Sequence, residues 1–238
     1  MRGFRYDTAV LAQFPAIRGG VILARGLQNG PTPPDLRDAF NAEQRATLAR
    51  LGDTPLADVP SLAAWRRAFS AFGVKPTQYR SAPEALLRRL TKKGDIPNIN
   101  KLVDLANLVS IRYALPVAVF DTRATTGMVT VRFAAGDERF TDLGADEVTP
   151  PEPGEVIFVD EAGLVSARRW CWRQSDQSAA REATTDAIVT VEGLHETATG
   201  DVPAALADLV ALLERHGRGA LQWALLSPEN PALIEDVA

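Results

Sequence analysis

The sequence predicts an α+β fold, and three observations carry that prediction. Apolar residues recur at helical spacing in a block from about residue 35 to 113. Short runs of strand character then follow one another from 115 to 193 with no helix between them. A single apolar helical stretch, VPAALADLVALLERHG (202–217), comes after them. Helices and strands in blocks, rather than alternating, are the pattern of an α+β chain.

In order along the chain, FRYDTAVLAQF (4–14) and GGVILARG (19–26) read as two strands, with Gly19 and Gly20 at the turn. NGPTPPDL (29–36) is loop-forming. A helix is expected from Asp35, as its cap, to Arg50, and another from Ser61 to Ala71, closed by Gly73. SAPEALLRRLTKKG (81–94) carries a capping box in Ser81 and Glu84. Pro83 lies in its first turn, Lys92 and Lys93 in its last, and Gly94 is the stop. A further helix is expected over 98–113. LPVAVFD (115–121), MVTVRFA (128–134), ERFTDL (138–143), EVIFVD (155–160), LVSARRWCWRQ (164–174) and AIVTVEG (187–193) read as strands. The helix 202–217 has Asp201 as cap and Gly217 as stop, and 218–226 reads as a last strand or a helical continuation. The expected organisation is one domain over residues 1–226 with a C-terminal tail over 227–238.

Composition excludes several classes. Hydrophobic content of 46% and charged content of 24% are those of an ordinary globular protein. No run of about 18 apolar residues is present, so no membrane span or membrane partner is expected. The N-terminal stretch lacks the apolar core of a signal peptide, and the single cysteine, Cys171, allows no internal disulfide; both fit a cytoplasmic protein. A net charge of −4 argues against a strong non-specific nucleic-acid binder and against a DNA partner. RRLTKK (88–93) and SARR (166–169) are the local basic exceptions, and each also reads as a solvated face. His195 and His216 are distant from each other and from Cys171, so no metal site is expected. Asp121, Glu138 and Asp160, at strand ends, read as turn formers. No phosphate loop, dinucleotide fingerprint or serine elbow occurs, so no cofactor is expected. No pattern sets an oligomeric state.

The helix PNINKLVDLANLVSI (97–111) raises a question. Ile99, Leu102, Val103, Leu105, Ala106 and Val109 spread over a broad arc, which predicts a helix nearly surrounded by protein. Asn100, Asp104 and Asn107 form a separate stripe at spacings of four and three. Short polar side chains cannot snorkel to water, so each needs a partner once buried. Two readings stand side by side: bonds to neighbouring backbone that fix loops, or the wall of a polar pocket.

RRWCWRQSD (168–176) carries the second unusual pattern. On a strand, Trp170, Trp172 and Gln174 share one face, and Arg169, Cys171 and Arg173 the other. The tryptophans can fill a core, or line a pocket for a flat ring with Arg173 reaching a carboxylate or phosphate. Cys171 reads as a packed small side chain, since no base stands near it in the sequence.

PNINKLVDLANLVSI resembles the N-N-x-V-D-x-x-N-Y-V-M motif of the phenylalanyl-tRNA synthetase beta subunit. LPVAVFD is similar to that family's Q-P-x-H-A-F-D, and TGMVTVRFAAGDERFTDLG to its G-x-I-x-V-R-x-A-x-x-G-E-x-x-x-x-L-D-G. EVIFVD and TTDAIVTVEG continue the resemblance in register, from about Asp95 to Gly193. The region concerned is the B3/B4 domain, and the helix 81–93 and the 170s stretch resemble its free-standing members. The resemblance implies a three-layer α+β domain with an unusual β-sandwich flanked by helices. It implies an editing site that binds the aminoacylated acceptor end of tRNA and hydrolyses a mischarged aminoacyl ester. Carried over, Asn107 matches the asparagine of the family pocket and Glu192 the glutamate associated with recognising the wrong amino acid. Asp104 joins them as a group to orient water, and Asn100, Trp170, Trp172, Arg173 and Gln174 as substrate contacts. Two departures stand out. Ala118 occupies the place of the family histidine, and ARRWCWRQSD replaces its glycine-rich A-G-x-M-G-G turn. Two functions follow as expectations: a trans-acting aminoacyl-tRNA deacylase, or a non-catalytic binding module for an amino acid or small aromatic ligand.

Overall fold

The structure, a computed structural model, describes residues 2–235. The elements run β1 (Gly3–Tyr6), α1 (Thr8–Gln13), β2 (Arg18–Arg25), α2 (Pro34–Leu51), α3 (Pro60–Ala71), α4 (Ala82–Lys93), α5 (Lys101–Tyr113), β3 (Val117–Asp121), β4 (Met128–Phe133), β5 (Phe140–Thr141), β6 (Val148–Thr149), β7 (Val156–Val159), β8 (Val165–Arg168), β9 (Arg173–Gln174), β10 (Ala187–Gly193), α6 (Ala198–Leu212), β11 (Ala220–Leu226) and β12 (Ala232–Ile234).

They build an α+β sandwich of three layers. A six-stranded sheet, β12-β1-β4-β7-β8-β9, faces a four-stranded antiparallel sheet, β11-β2-β10-β3. Within the larger sheet only the β1–β4 pair is parallel. Phe4, Val129, Val131 and Phe158 from one sheet meet Val21, Leu23, Phe120 and Ile188 from the other. The far face of the smaller sheet sends Ile22, Val119, Val189 and Val191 against Leu36, Phe40, Leu87, Leu105 and Leu209 of the helical layer. β2 and β10 are therefore covered on both faces. That is why their sequences are continuous apolar runs and not an alternation.

Several boundaries differ from expectation, each for a local reason. The run 4–14 is not one strand: Asp7 accepts a bond from the Ala9 amide at 2.8 Å and caps α1. Asp35 lies in the first turn of α2 behind Pro34, and Pro33 holds the cap position. α5 begins only at Lys101 because Asn100 is its cap. α6 begins at Ala198, so Asp201 lies inside the first turn, where it receives His195 Nε2 at 2.8 Å and Thr197 Oγ1 at 2.6 Å. Residues 218–226 contain a strand, β11, on the edge of the smaller sheet. Within the expected C-terminal tail, 227–238, β12 pairs antiparallel with β1, and residues 236–238 lie outside the described residues.

The capping box of α4 does not form. Ser81 holds the cap position without a side-chain bond, and its hydroxyl is buried and unpartnered. Glu84 is held instead by Arg66, at 2.9 and 2.6 Å. Ser81→Ala is therefore expected to change stability by less than about 0.5 kcal/mol, rather than the ~1 kcal/mol of a working cap. Urea melts of the two proteins check this. Gly94 stops the helix as expected, at φ 82° in the left-handed region.

Candidate functional site

The expected strand 164–174 is broken by a reversal. β8 and β9 pair Ala167 with Gln174 and Arg168 with Arg173, leaving residues 169–172 as the turn. Arg169 and Trp170 both have left-handed backbones, φ 46° and 56°. Two adjacent non-glycine residues there cost roughly 1–2 kcal/mol each. The contacts of the turn offset this cost. The Trp170 amide donates to Val156 O at 2.6 Å, and its ring packs edge-on against Trp65 at 5.0 Å and Phe14 at 5.1 Å. Arg169 pairs with Glu155 at 2.9 Å and lies over the rings of Tyr79 and Trp172.

The turn turns Trp170 into the sandwich, beside a cavity of about 80 Å³ between the two sheets. Along β10, Ile188, Thr190 and Glu192 point to the same side, toward the six-stranded sheet. Thr190 lies opposite Ala118 in register. Phe120, Phe158, Ala167 and Trp170 complete the buried part of the lining. Trp172, Arg173 and Gln174 form the more accessible part.

Glu192 is the one acidic group in this lining, and it is 2% exposed. Tyr6 Oη donates to its Oε1 at 2.7 Å, and Trp170 Nε1 donates to the same oxygen at 3.0 Å. Oε2 has no partner among the described residues. Tyr6 reaches it because Gly19, paired with Glu192 in register, has no Cβ to collide with the tyrosine hydroxyl. Burial raises the Glu192 pKa to about 7, and the two donated bonds only partly oppose that rise. A carboxyl group poised near neutrality can take or return a proton at working pH. Burial, with Glu192 adjoining it, pushes the Cys171 thiol well up, so Cys171 is not a thiolate nucleophile.

The predicted site residues divide into two groups. Glu192, Trp170, Trp172, Arg173 and Gln174 line this cavity together. Gln174 spends its amide donors on Val119 O at 2.8 Å and Ser178 O at 2.7 Å, so only its oxygen faces outward chemistry. Asn100, Asp104 and Asn107 do not line it. Asn100 caps α5, accepting from the Val103 amide at 3.1 Å, and donates to Ala180 O at 3.0 Å. Asp104 is fully buried. It accepts from Thr32 Oγ1 at 2.5 Å, Asn98 Nδ2 at 2.7 Å and the Ile99 amide at 2.9 Å. Asn107 is half-buried and has no hydrogen-bond partner among the described residues. Asn100 and Asp104 thus fix loops at the start of α5, and none of the three stripe residues lines this cavity. Tyr6 and Thr190 are site residues that no motif marks.

Trp172 and Arg173 also line a second, wider groove of about 470 Å³ along α4, with Arg80, Arg88, Arg89, Lys92 and Lys93. No acidic side chain lines it. Arg89 pairs with Asp95 at 3.4 Å, whereas Arg88, Lys92 and Lys93 have no acidic partner among the described residues. No group of three or more histidine, cysteine or carboxylate side chains that could hold a metal occurs among the described residues. No helix among them is long and apolar enough to cross a membrane.

Fold and site define a β-sandwich domain with a carboxylate pocket between its sheets. Residues 64–215 match the model of the B3/4 domain family, and the chain belongs to that family. It is similar to the phenylalanine–tRNA ligase beta subunit of Shewanella oneidensis, 31% identical over 94 residues, 40% of this chain and 12% of that one. The Staphylococcus saprophyticus subunit is 35% identical over 100 residues, 42% and 12% of the two chains. That of Geobacter metallireducens is 37% identical over 87 residues, 36% and 11%. The chain thus spans only about an eighth of the length of these relatives. An N-terminal fragment of the Pyrococcus horikoshii phenylalanyl-tRNA synthetase beta subunit superposes with a TM-score of 0.46 at 12% identity, over 92% of this chain and 50% of that one. β1 and β2 precede the matched region, yet they supply a strand to each sheet and Tyr6 to the site.

Proposed function

We propose that this chain is an editing-like domain that receives the aminoacylated acceptor end of a mischarged tRNA and hydrolyses the aminoacyl ester in trans. The observation that carries this reading is a buried carboxylate with one free oxygen, in a cavity that shares Trp172 and Arg173 with a cationic groove in which Arg88, Lys92 and Lys93 have no acidic partner among the described residues. The amino-acid side chain enters the cavity, and the phosphates of the acceptor end lie along Arg88, Lys92 and Lys93. Glu192 holds a water and takes its proton as the oxygen bonds to the ester carbonyl. The ribose oxygen then leaves with that proton, releasing amino acid and uncharged tRNA. An aminoacyl ester is reactive enough that positioning a water supplies much of the required acceleration.

The test is deacylation of a panel of correctly and incorrectly charged tRNAs. Turnover of one mischarged species, lost in Glu192→Gln, is the expected result; no turnover across the panel overturns hydrolysis. Reversing Arg88, Lys92 and Lys93 to Glu is expected to weaken tRNA binding at least tenfold at low salt and to flatten its salt dependence. Binding with an unchanged salt slope would remove the groove from the RNA path.

A second reading, a binding module without turnover, is favoured by a specific feature. Ala118 supplies no polar group, and the Gln174 donors are already spent, so few donors face a developing oxyanion.

A further inference from the structure

We infer that the cavity between the sheets is a site for a small hydroxylated side chain, of serine or threonine size, and that Trp170 is the residue that keeps aromatic rings out of it. The class of molecule rests on the aminoacyl reading above. The size limit rests on the walls alone.

The cavity holds about 80 Å³, roughly half of the ~150 Å³ void in which a benzene ring is known to sit. Its walls have little room to yield. Trp170 is fully buried, braced edge-on by Trp65 and Phe14, and tied through its indole nitrogen to Glu192. Swinging it aside gives up these ring contacts, with a third to Phe72, and leaves a buried donor unpaired. Phe120 packs on Phe158 with centroids 5.1 Å apart, and both are buried. An indole therefore occupies the space into which a substrate ring would have to enter.

The polar atoms select within the small side chains. Glu192 Oε2 and the Thr190 hydroxyl both belong to residues at least nine-tenths buried, and neither has a partner among the described residues. A ligand hydroxyl donates to one lone pair of the first and accepts from the second, and the other lone pair of Oε2 is left for the hydrolytic water. An alanyl side chain makes neither bond. Sites built to bond a hydroxyl reject the analogue lacking it far more strongly than apolar pockets reject an extra methylene.

The experiment is calorimetric binding of 3′-aminoacylamino-3′-deoxyadenosines, amide analogues that cannot be hydrolysed, carrying seryl, threonyl, alanyl, phenylalanyl or tyrosyl groups. The seryl and threonyl compounds are expected to bind tightest, the alanyl compound at least about tenfold more weakly. The phenylalanyl and tyrosyl compounds are expected to bind at least a hundredfold more weakly. A ring-bearing analogue that binds as tightly as the seryl one, or a panel with no binding, overturns the inference. Trp170→Gly, which accepts the left-handed backbone without strain, is expected to bring the phenylalanyl compound to within tenfold of the seryl one. The wild-type panel decides the size limit whether or not that variant folds. Tight seryl binding with seryl-tRNA left intact upholds the side-chain preference and overturns hydrolysis alone.

Discussion

Glu192→Gln is expected to make the protein more stable above neutral pH while removing its pocket chemistry. In the unfolded chain this carboxyl titrates near 4.5; in the fold, burial moves it to about 7. Between those values the native state holds a proton that the unfolded state has released. The stabilisation from that proton is complete below about pH 4.5 and is lost as pH rises through about 7. At 1.36 kcal/mol per pKa unit, the loss approaches about 3 kcal/mol by pH 8. Glutamine does not titrate. Its oxygen still accepts from Tyr6 and Trp170, and it fills the same volume. Urea melts at pH 4.5 and pH 8 should therefore show near-equal stabilities at the lower pH and a variant more stable by about 3 kcal/mol at the higher one. Equal stabilities at both would mean that Glu192 is not a desolvated carboxyl in the fold, and the acid–base role would fall with it. A protein that retains a group costly above neutrality is one in which that group serves something other than stability.

The same residue shows how far the sequence alone reaches. β10 is legible as a strand from AIVTVEG, and period two puts Glu192 on a face with Thr190 and Ile188. Which layer that face meets is not legible, because β10 is covered on both sides and its apolar run has no alternation to read. Nor is Tyr6, 186 residues away, visible as the partner of Glu192. The run RRWCWRQ has the alternation of a strand, yet tertiary contacts to Val156, Trp65, Phe14 and Glu155 hold Arg169 and Trp170 in a turn. No glycine marks that turn, so local preference pointed the wrong way. The basic run of α4 could be read as charge, but its standing beside the cavity depends on Trp172 and Arg173, which the β8–β9 reversal brings there.

The stripe on α5 yields the other large effect, and it separates packing from pocket. A helical wheel says that Asn100, Asp104 and Asn107 sit together; it does not say what faces them. In the fold, Asp104 gathers three donors from two loops, Thr32 from one and Asn98 and the Ile99 amide from the other. Asp104→Ala leaves all three donors without their acceptor in a fully buried place. With charge-assisted bonds worth roughly 1.5–3 kcal/mol each and partial relaxation of the loops, a loss of about 4 kcal/mol is expected. For a chain of this size that lowers the melting temperature by roughly 8–16 °C. Asn107→Ala removes a half-buried side chain with no hydrogen bond among the described residues to lose, and a change within about 0.5 kcal/mol is expected. Both variants, assayed well below their melting temperatures, should bind a pocket ligand as the parent does, since neither residue lines the cavity. Thermal melts paired with calorimetric binding decide the matter. Loss of binding in Asn107→Ala at an unchanged melting temperature would extend the site to α5 and restore the stripe as one of its walls. A large thermal loss in Asp104→Ala with binding intact would identify the stripe as the anchor of the loops around Thr32 and Asn98, and leave ligand contact to the cavity around Glu192.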